Sequence, residues 1–445
     1  MDRRHFLMSS AAGGLLLPAS HVFADDHRES GHKRSGSRSS SEAGSATAPS
    51  GNVATPPAKP KARVIVIGGG MAGATVAKYL RLWGDAVDVT LIERTAQYQS
   101  NIMSSLVLTG QRTMASLRFN YDTLQSAYGV RRVVGEVVEV DPVRARVRLA
   151  SGAWLEADRI VMAPGIAFDS VPGLNDPNRM PHAWQAGAQT TLLAQQLAAM
   201  PANGVAVLTI PKAPYRCPPG PYERACLIAD WMKARKPRAK LIVLDANPDI
   251  VTEVDNFSQA FYGLHAKVIE YRRGVEISSV DTGQMTVYTN GGAVQADVVN
   301  LIPSQRAADL AATTGLATAK RFVPVNVLSY ASTAAPLVHV IGDASATTQP
   351  KAGHIANQEA KVCADALSRI FAGGQPDPAP VTNSACYSTI TRSQASWLTA
   401  TFQYDALSAT MKPVAASSAA SVGWRSDNFE QMNQWFNALM ADSFA

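Results

Sequence analysis

The chain has 445 residues, 46% of them hydrophobic, a length that allows two or three ordinary globular domains. About half of the formal net charge of +6 comes from residues 1–62, so the rest is too weakly basic to make nucleic acid an expected partner. The four cysteines have neither C-x-x-C nor C-x-x-C-H spacing, so neither a metal site nor covalent haem is expected.

The first 24 residues are typical of a twin-arginine export signal. Arg3 and Arg4 precede a short apolar run that ends at Leu17, and a small-residue cleavage site follows. The apolar run is too short to span a bilayer and no later segment is apolar enough, so no membrane span is expected. Residues 25–62 are rich in Ser, Gly, Ala and Pro and are interpreted as a disordered linker. These features predict a periplasmic protein.

The folded part begins with one complete β-α-β unit. An apolar run over residues 63–67 is typical of a strand buried in a parallel sheet, and the next strand ends at Glu93. Between them, Gly68-x-Gly70-x-x-Gly73 opens a helix. In this pattern the first glycine permits a tight turn, the second lets the backbone approach a pyrophosphate, and the third lets helix and strand pack closely. Glu93 is placed to bind a ribose, so the unit predicts dinucleotide binding.

A second β-α-β unit follows, with strands over residues 205–210 and 240–245 and a helix that begins near Pro221. A nicotinamide site there needs its own glycine-rich loop. The first strand runs instead into residues 211–219, where four prolines remove backbone N–H donors that would cradle a pyrophosphate. NAD(P)H binding is therefore not expected in this unit.

The same loop places Cys217 between a strand and a helix. Its position near a helix N-terminus and beside Arg216 predicts a lowered thiol pKa and a nucleophilic sulfur. Glu223, six residues later, is either an acid/base group that moves a proton or a first-turn glutamate that stabilises the helix dipole. Cys217 and Glu223 are the candidate catalytic residues.

The cofactor is predicted from the far end of the chain. A strand over residues 338–341 leads into Gly342 and Asp343, and a helix follows over residues 353–371. Two-dinucleotide-domain flavoproteins hold the ribityl chain and the flavin with this pattern, and the helix N-terminus stabilises negative charge on the flavin ring. Lys351 either stabilises reduced flavin or is simply exposed. The predicted FAD-binding residues are Gly68, Gly70, Met71, Ala72, Gly73, Glu93, Arg94, Asn101, Ala163, Gly165, Gly342, Asp343, Lys351 and Gly353.

Six patterns together point to a known family. They are the segment 213–225 around Cys217, Glu93, Asn300-Leu-Ile-Pro-Ser-Gln-Arg-Ala, Gly342-Asp-Ala, Pro350-Lys-x-Gly and Asn383-x-x-Cys-Tyr. With them the chain resembles the flavoprotein subunit of flavocytochrome c sulfide dehydrogenase over nearly all of residues 63–445. The resemblance implies a periplasmic FAD enzyme that oxidises sulfide or another reduced sulfur compound. It also implies a c-type cytochrome, either a subunit or a soluble protein, as the electron acceptor.

The chain departs from that family at two positions. The cysteine that matches Cys217 forms a redox disulfide there with a cysteine in an aromatic-Cys-Pro-Val segment, and here that segment reads Phe322-Val323-Pro-Val. Members of the family often tie FAD covalently through a cysteine that aligns with Asn101. The resemblance therefore implies a missing redox partner and non-covalent FAD.

The other three cysteines are not obvious replacements. Cys226 lies nine residues after Cys217, roughly 13 Å along a helix axis, whereas a disulfide needs Cα atoms within about 7 Å. Cys363 is interpreted as a packing residue among apolar neighbours, and Cys386 as a structural residue. Cys217 is thus expected to act without a partner.

The predicted fold class is α/β, with two Rossmann-like domains of the glutathione reductase type and a C-terminal α+β module. We expect an FAD-binding domain in residues 63–180 and 303–372, a second dinucleotide-fold domain in residues 181–302, and a third module in residues 373–445. Two other functions remain open. The protein is either a flavin dehydrogenase for a different small donor, with Cys217 a relic, or a non-catalytic FAD-containing accessory protein of a cytochrome or sulfur-oxidation complex.

Overall fold

The computed structural model describes residues 54–317 and 321–445. The predicted signal peptide and residues 25–53 of the predicted linker lie outside the described residues. The strands are β1 (Ala62–Ile67), β2 (Val87–Glu93), β3 (Tyr98–Gln99), β4 (Arg118–Phe119), β5 (Arg131–Val134), β6 (Val137–Asp141), β7 (Arg146–Leu149), β8 (Trp154–Glu156), β9 (Arg159–Met162), β10 (Ile166–Phe168), β11 (Val205–Ile210), β12 (Lys240–Asp245), β13 (Ile269–Arg273), β14 (Ile277–Asp281), β15 (Thr286–Thr289), β16 (Gly292–Gln295), β17 (Val298–Asn300), β18 (Gln305–Ala307), β19 (Val323–Asn326), β20 (Ala331–Ser332), β21 (Val338–Val340), β22 (Ser345–Ala346), β23 (Val381–Thr389), β24 (Ala395–Asp405), β25 (Thr410–Pro413) and β26 (Ala419–Ala420).

The α-helices connect these strands and cover the sheets. They are α1 (Met71–Trp83), α2 (Ser105–Leu108), α3 (Asp122–Ser126), α4 (Ala188–Ala199), α5 (Gly220–Arg235), α6 (Val254–Gln259), α7 (Asp309–Thr313), α8 (Gly353–Phe371) and α9 (Ser426–Phe444). A π-helical turn continues α6 over Ala260–Leu264, and short 3₁₀ turns lie at Ala115–Leu117, Gly342–Ala344 and Ala415–Ser417.

The last part of the predicted linker is ordered. The Ala54 backbone N–H donates to the Ser126 carbonyl over 2.7 Å, and the Arg81 guanidinium donates to the Thr55 carbonyl over 3.1 Å. The prediction of disorder up to residue 62 is therefore wrong for residues 54–62. Its polar, Pro-rich composition gave no sign that the Ser126 carbonyl and the Arg81 side chain would hold it.

Within the described ranges, the large sheet has eight strands in the order β22-β19-β20-β21-β9-β1-β2-β5. The run from β21 to β5 is parallel, and β1 is buried at every position except Arg63. Such strands are apolar along their whole length because both faces are covered, here by α1 and α8 on one side and by β6, β7 and α7 on the other. Helices α1 and α8 pack against each other on this sheet. Apart from Ala62, the strands of the sheet fall within residues 63–180 and 303–372.

The second sheet is parallel throughout, in the order β13-β12-β11-β17. Its strands all fall within residues 181–302, and α5 connects β11 to β12. The bounds of β11 and β12 are those predicted from the sequence. The two parallel sheets with their helices confirm the α/β fold class with two Rossmann-like units.

The C-terminal segment forms an antiparallel sheet and one long helix. Strands β23, β24 and β25 pair in sequence order, β26 pairs with β24, and α9 packs against α1. The Phe444 ring stacks on Tyr98 with centroids 4.8 Å apart, which ties the end of the chain to the first domain. This α+β module therefore forms part of the wall around the space between the two Rossmann-like units.

Candidate functional site

A cavity of about 1000 Å³ lies where the carboxyl ends of β1, β9 and β21 meet the N-termini of α1, α5 and α8. Crevices of this kind are the usual ligand sites of open parallel sheets. Fourteen of the sixteen predicted site residues line it: Gly68, Gly70, Met71, Ala72, Glu93, Arg94, Asn101, Ala163, Gly165, Cys217, Glu223, Gly342, Asp343 and Gly353. Gly73 and Lys351 are not among its lining residues.

The three glycines of the glycine-rich loop have the backbone roles that their pattern predicts. Gly68 has φ +95°, and a side chain there would collide with the Ala163 carbonyl oxygen. A Cβ at Gly73 would overlap the carbonyl oxygen of Gly68, so this glycine serves the packing of α1 on β1. A Cβ at Gly70 would meet only the Tyr98 ring, 3.9 Å away, so this backbone is open toward the cavity. Gly70 is therefore where a pyrophosphate can approach.

The Glu93 carboxylate stands at the end of β2 and is partly used by the protein. Its Oε2 accepts from the Gly69 backbone N–H over 2.7 Å, and its Oε1 accepts from the backbone and hydroxyl of Thr95, both over 3.0 Å. The Tyr121 hydroxyl donates to the Gly69 carbonyl over 2.9 Å. These bonds fix the loop and the acid relative to each other, and Oε2, which has a single donor, keeps a lone pair for a ribose hydroxyl.

Asp343 carries the strongest sign of a ligand. Its Oδ1 is buried and has no hydrogen-bond partner among the described residues, and its Oδ2 lies 4.0 Å from Nη1 of Arg216. Burial raises the pKa of this carboxyl, an effect that Arg216 and Lys351 oppose. A buried polar atom without a partner is costly unless a ligand supplies one. The residues therefore fit a hydroxyl-bearing chain such as the ribityl of FAD.

Lys351 does not point into the cavity. Its Nζ donates to the Ser345 carbonyl over 2.6 Å and lies 3.7 Å from the Phe322 ring centroid. The side chain is buried, so the alternative that it is simply exposed is wrong. Its backbone carbonyl accepts from the Cys217 N–H over 2.6 Å, which anchors the cysteine loop to the segment before α8.

Cys217 lies on the cavity wall just before α5. Its φ is +56°, and its carbonyl accepts from the Gly220 N–H over 2.9 Å. The prediction of a lowered pKa is wrong: burial, followed by the charge of Glu223, raises the pKa of this thiol to about 12, and Arg216 opposes this only in part. Loss of water around the sulfur outweighs one neighbouring cation, so the resting group is a thiol.

Glu223 also lines the cavity, in the first turn of α5. Its Oε1 accepts from the Thr389 hydroxyl over 2.6 Å and from the Thr389 backbone N–H over 3.2 Å. Burial, with help from Glu253, raises the pKa of this carboxyl to about 7. A carboxyl that titrates near neutrality can accept and return a proton, which favours the acid/base role over that of a helix-dipole partner.

Sequence reasoning missed Arg224, which is 1% exposed beside the cavity wall. Its guanidinium donates to Ser105, to the Ala183 carbonyl and to Oδ1 of Asn300, and it stacks 4.6 Å from the Trp184 ring. Burial lowers the pKa of this arginine to about 9, although Glu223 opposes that shift. Arg224 thereby joins α5, β17 and the loop before α4. The sequence feature that could have identified Arg224 is its place in the segment 213–225, one of the patterns that carry the family resemblance.

His354 and Cys386 were missed as cavity residues as well. Both line the cavity, His354 at the start of α8 and Cys386 on β23. A ring nitrogen of His354, Nε2, lies 2.9 Å from the Ser384 hydroxyl, which holds β23 against α8. Burial lowers the pKa of His354 to about 4, so the ring is neutral at physiological pH. The interpretation of Cys386 as a structural residue therefore missed that this residue lines the cavity.

The position in the second unit that corresponds to Glu93 is filled by protein groups. Asp245 ends β12 and is 0% exposed. Its Oδ2 accepts from the hydroxyls of Tyr222 and Tyr271 over 2.7 and 2.8 Å, and its Oδ1 accepts from Asn247. No face of this carboxylate is left for a ribose.

Two Rossmann-like units around one cavity that fits a dinucleotide define a flavoprotein oxidoreductase. Models of three families match the chain. "Sulfide dehydrogenase [flavocytochrome c] flavoprotein chain, central" matches residues 190–303, and "Flavocytochrome c sulphide dehydrogenase, flavin-binding" matches residues 378–444. "Pyridine nucleotide-disulphide oxidoreductase" matches residues 62–200. These matches support the resemblance to flavocytochrome c sulfide dehydrogenase flavoproteins, and FAD is the cofactor that the matches and the cavity support.

Individual proteins match the chain either over a short segment or at low sequence identity. The chain is 36% identical over 106 residues to the probable ferredoxin reductase CtmF of Castellaniella defragrans, a match that spans 23% of this chain and 26% of that relative. The structure of the sulfide:quinone oxidoreductase from Aquifex aeolicus is similar at a TM-score of 0.73 and 17% identity, over 86% of this chain and 91% of that one. A NAD-dependent persulfide reductase from A. fulgidus is similar at a TM-score of 0.57 and 14% identity, over 85% and 77%. These structural similarities show the fold alone.

Two kinds of feature are absent from the described ranges. Among residues 54–317 and 321–445, no helix combines the length and apolar character needed to cross a membrane. The same residues contain no group of His, Cys, Asp and Glu side chains arranged to hold a metal ion.

Proposed function

We propose that this protein is an FAD-dependent oxidoreductase that oxidises sulfide, or another small reduced sulfur compound, and passes the electrons to a c-type cytochrome. The observation that carries the proposal is that Cys217 and Glu223 share one cavity with Gly70, Asp343 and Gly353. A sulfur nucleophile, a carboxyl that titrates near neutrality and the elements of a dinucleotide site thus face the same space.

The residues that would hold FAD are those of the first Rossmann-like unit. The open backbone at Gly70 would take the pyrophosphate, Asp343 would bind the ribityl chain, and the N-terminus of α8 at Gly353 would stabilise negative charge. When bound, FAD supplies an acceptor for an electron pair that can also be released one electron at a time. Asn101 offers no sulfur for a covalent link, and its Oδ1 accepts from the Ala186 N–H over 2.7 Å, so we propose non-covalent FAD.

The protein's own residues supply the sulfur nucleophile and the carboxylate that accepts its proton. Glu223 takes the proton of the Cys217 thiol or of hydrogen sulfide, because its pKa of about 7 leaves part of it ionised at neutral pH. Its ionised fraction falls as the pH drops below that value. Arg216, next to Cys217, opposes the rise of the thiol pKa and so favours the thiolate once a proton has left.

Electrons are not expected to arrive from NAD(P)H. The protein groups around Asp245 occupy the position where a nicotinamide dinucleotide would place its ribose, and the proline-rich loop after β11 offers few backbone donors for a pyrophosphate. A cytochrome acceptor is proposed because the matching flavoproteins are those of flavocytochrome c. A periplasmic location is proposed from Arg3 and Arg4, which lie outside the described residues.

Anaerobic titration of the holoprotein with sulfide tests the proposal. We expect loss of the flavin absorbance on addition of sulfide and its recovery when oxidised cytochrome c is added. Bleaching by other donors but not by sulfide would instead identify a flavin dehydrogenase for a different substrate. A flavin that no donor bleaches would identify an accessory protein and overturn the enzymatic assignment.

A further inference from the structure

Two of the four cysteines line the cavity. Cys217 lies in the loop before α5, and Cys386 lies on β23 of the C-terminal module. Cys226 and Cys363 are fully buried in separate apolar clusters and are not among the lining residues. The fold thus sorts the cysteines into one pair that shares a cavity and two that serve packing.

A hydrogen-bonded clamp holds the elements that carry the two sulfur atoms. Glu223 in the first turn of α5 binds both the backbone N–H and the hydroxyl of Thr389, three residues after Cys386 on β23. The backbone N–H of Cys217 is held at Lys351 on the other side. The two cysteines are therefore on elements fixed to each other, rather than on independent loops.

The Cys386 side chain is on the buried face of its strand. Every second residue of the strand points to that face, so Ser384, Cys386 and Ser388 share it. Ser384 is hydrogen-bonded to His354, and Ser388 donates to Glu253. The thiol itself makes only a 3.9 Å contact to the Tyr387 carbonyl, which is a weak interaction for sulfur. Burial, followed by the charge that Cys217 carries when it is a thiolate, raises the pKa of Cys386.

The packing around Cys217 leaves room for its sulfur at the start of α5. A Cβ at Gly220 would lie 2.9 Å from the Cys217 sulfur and 2.8 Å from the Trp184 ring, so only a glycine accommodates both. Val323, in contrast, is 0% exposed in an apolar cluster, is paired with Ser345 and does not line the cavity. The position that holds the second redox cysteine in the family is part of the apolar core in this chain.

We propose that Cys217 and Cys386 are the redox-active thiol pair of this protein, with Cys386 in place of the cysteine that is absent at Val323. Closure forms one bond between the two sulfur atoms and releases two protons and two electrons. Glu223 accepts one proton and solvent the other, and the electron pair goes to a two-electron acceptor of the flavin class. The closed form requires the two Cα atoms to come within about 7 Å.

The oxidised pair gives sulfide a defined point of attack. Hydrosulfide attacks the Cys217 sulfur, a new sulfur–sulfur bond forms there, and the bond to Cys386 breaks, which leaves Cys386 as a thiolate. Atoms and electrons balance, because the bond formed replaces the bond broken. This second step rests on the proposed function, whereas the existence of the pair does not.

The test counts thiols in the full-length holoprotein and uses no sulfide. The protein is oxidised with diamide, denatured, titrated for free thiols, and digested without reduction for peptide mass spectrometry. We expect two of the four thiols to disappear and a peptide that links Cys217 to Cys386. Four remaining thiols, or a link that involves Cys226 or Cys363, would overturn the pair.

Single variants make the result specific. Cys217→Ser and Cys386→Ser should each keep all their remaining thiols after oxidation, whereas the matched controls Cys226→Ser and Cys363→Ser should still lose two. Flavin content and circular dichroism of each variant show that it has folded. A Cys386→Ser protein that folds, binds flavin and still loses two thiols would contradict the proposal. Since sulfide is absent throughout, failure here is distinguishable from failure of the sulfide titration.

Discussion

Glu223 governs the ionisation of Cys217 from the first turn of α5. Its negative charge is the second cause, after burial, of the raised pKa of the thiol. The two groups therefore titrate as a coupled pair, and the charge state of one sets the proton affinity of the other. Above about pH 7 the carboxyl is ionised and disfavours the thiolate, whereas below that pH it is neutral and this effect is absent.

Replacing that carboxylate should make Cys217 easier to deprotonate. In Glu223→Gln we expect the pKa of the thiol to fall, by roughly one unit, since a nearby like charge disfavours the thiolate. The pH dependence of Cys217 alkylation by iodoacetamide, followed by mass spectrometry, measures the shift. Glu253→Gln removes a partly buried carboxyl that is not among the causes of the Cys217 shift, so this matched control should leave the midpoint unchanged. An unchanged or higher midpoint in Glu223→Gln would contradict this coupling.

Asp343 should determine how tightly FAD binds. Its unpaired buried oxygen indicates a missing hydrogen-bond partner, and a hydrogen bond to a charged group contributes about 1.5–3 kcal/mol. Asp343→Ala should therefore weaken FAD binding roughly tenfold or more. The ratio of flavin to protein absorbance after gel filtration measures the loss. Asp405→Ala, a carboxylate on β24 far from the cavity lining, is the control, and full flavin content in Asp343→Ala would remove Asp343 from the site.

Single residues also show what a sequence can and cannot predict about a site. Gly68, Gly73 and Asp343 were predictable because a local motif carries their backbone demands and chemistry. The thiol pKa of Cys217 was not, because its sign depends on burial by residues distant in the chain. The role of Arg224 was hidden for the same reason, since its partners lie near residues 105, 183 and 300.

At the scale of elements, the contact between α1 and β1 is the tightest constraint on the dinucleotide loop. A methyl group at Gly73 would overlap the Gly68 carbonyl, which neither backbone can avoid without moving the loop. We expect Gly73→Ala to lower stability by about 1–3 kcal/mol and to reduce flavin content. Thermal unfolding and the flavin ratio measure both effects. Gly263→Ala, where a Cβ meets nothing within 4 Å, is the control; equal melting temperatures of the two variants would contradict the packing role.

The C-terminal helix α9 is expected to support the cavity wall from behind. Phe444 is 4% exposed and stacks on Tyr98, a lining residue, while also packing near Phe119 and Tyr121. Truncation of a buried phenylalanine costs about 3–5 kcal/mol, so Phe444→Ala should melt at a clearly lower temperature and bind flavin more weakly. Leu407→Ala, 99% exposed, should melt like the wild type. A Phe444→Ala protein with unchanged melting temperature and flavin content would show that α9 is not part of the site's support.

Elements of the two parallel sheets were predictable because buried strands carry continuous apolar runs. The bounds of β11, β12 and α8 match those read from the sequence. The C-terminal module was expected as an α+β unit over residues 373–445, but its alternating pattern does not reveal which face of β23 meets the cavity. Cys386 was therefore interpreted as a structural residue, although its strand forms one wall of the site.

For the whole molecule, the site exists only when three parts of the chain come together. The first Rossmann-like unit supplies the dinucleotide loop and Asp343, the second supplies Cys217 and Glu223, and the C-terminal module supplies Cys386. The sequence indicated each part, and the resemblance to a family indicated that they belong together. Which cysteines line the cavity depends on the arrangement of all three parts, which no local pattern encodes.

Cys217 is the residue at which we propose that reduced sulfur reacts with this protein. The most direct test compares anaerobic flavin bleaching by sulfide in the wild type and in Cys217→Ser, with Cys226→Ser as the buried control from the same helical region. We predict that the wild type and Cys226→Ser bleach, while Cys217→Ser keeps its flavin oxidised although its flavin content is normal. If Cys217→Ser bleaches at the wild-type rate, the cysteine takes no part in the reaction and the proposed site of sulfide oxidation is wrong.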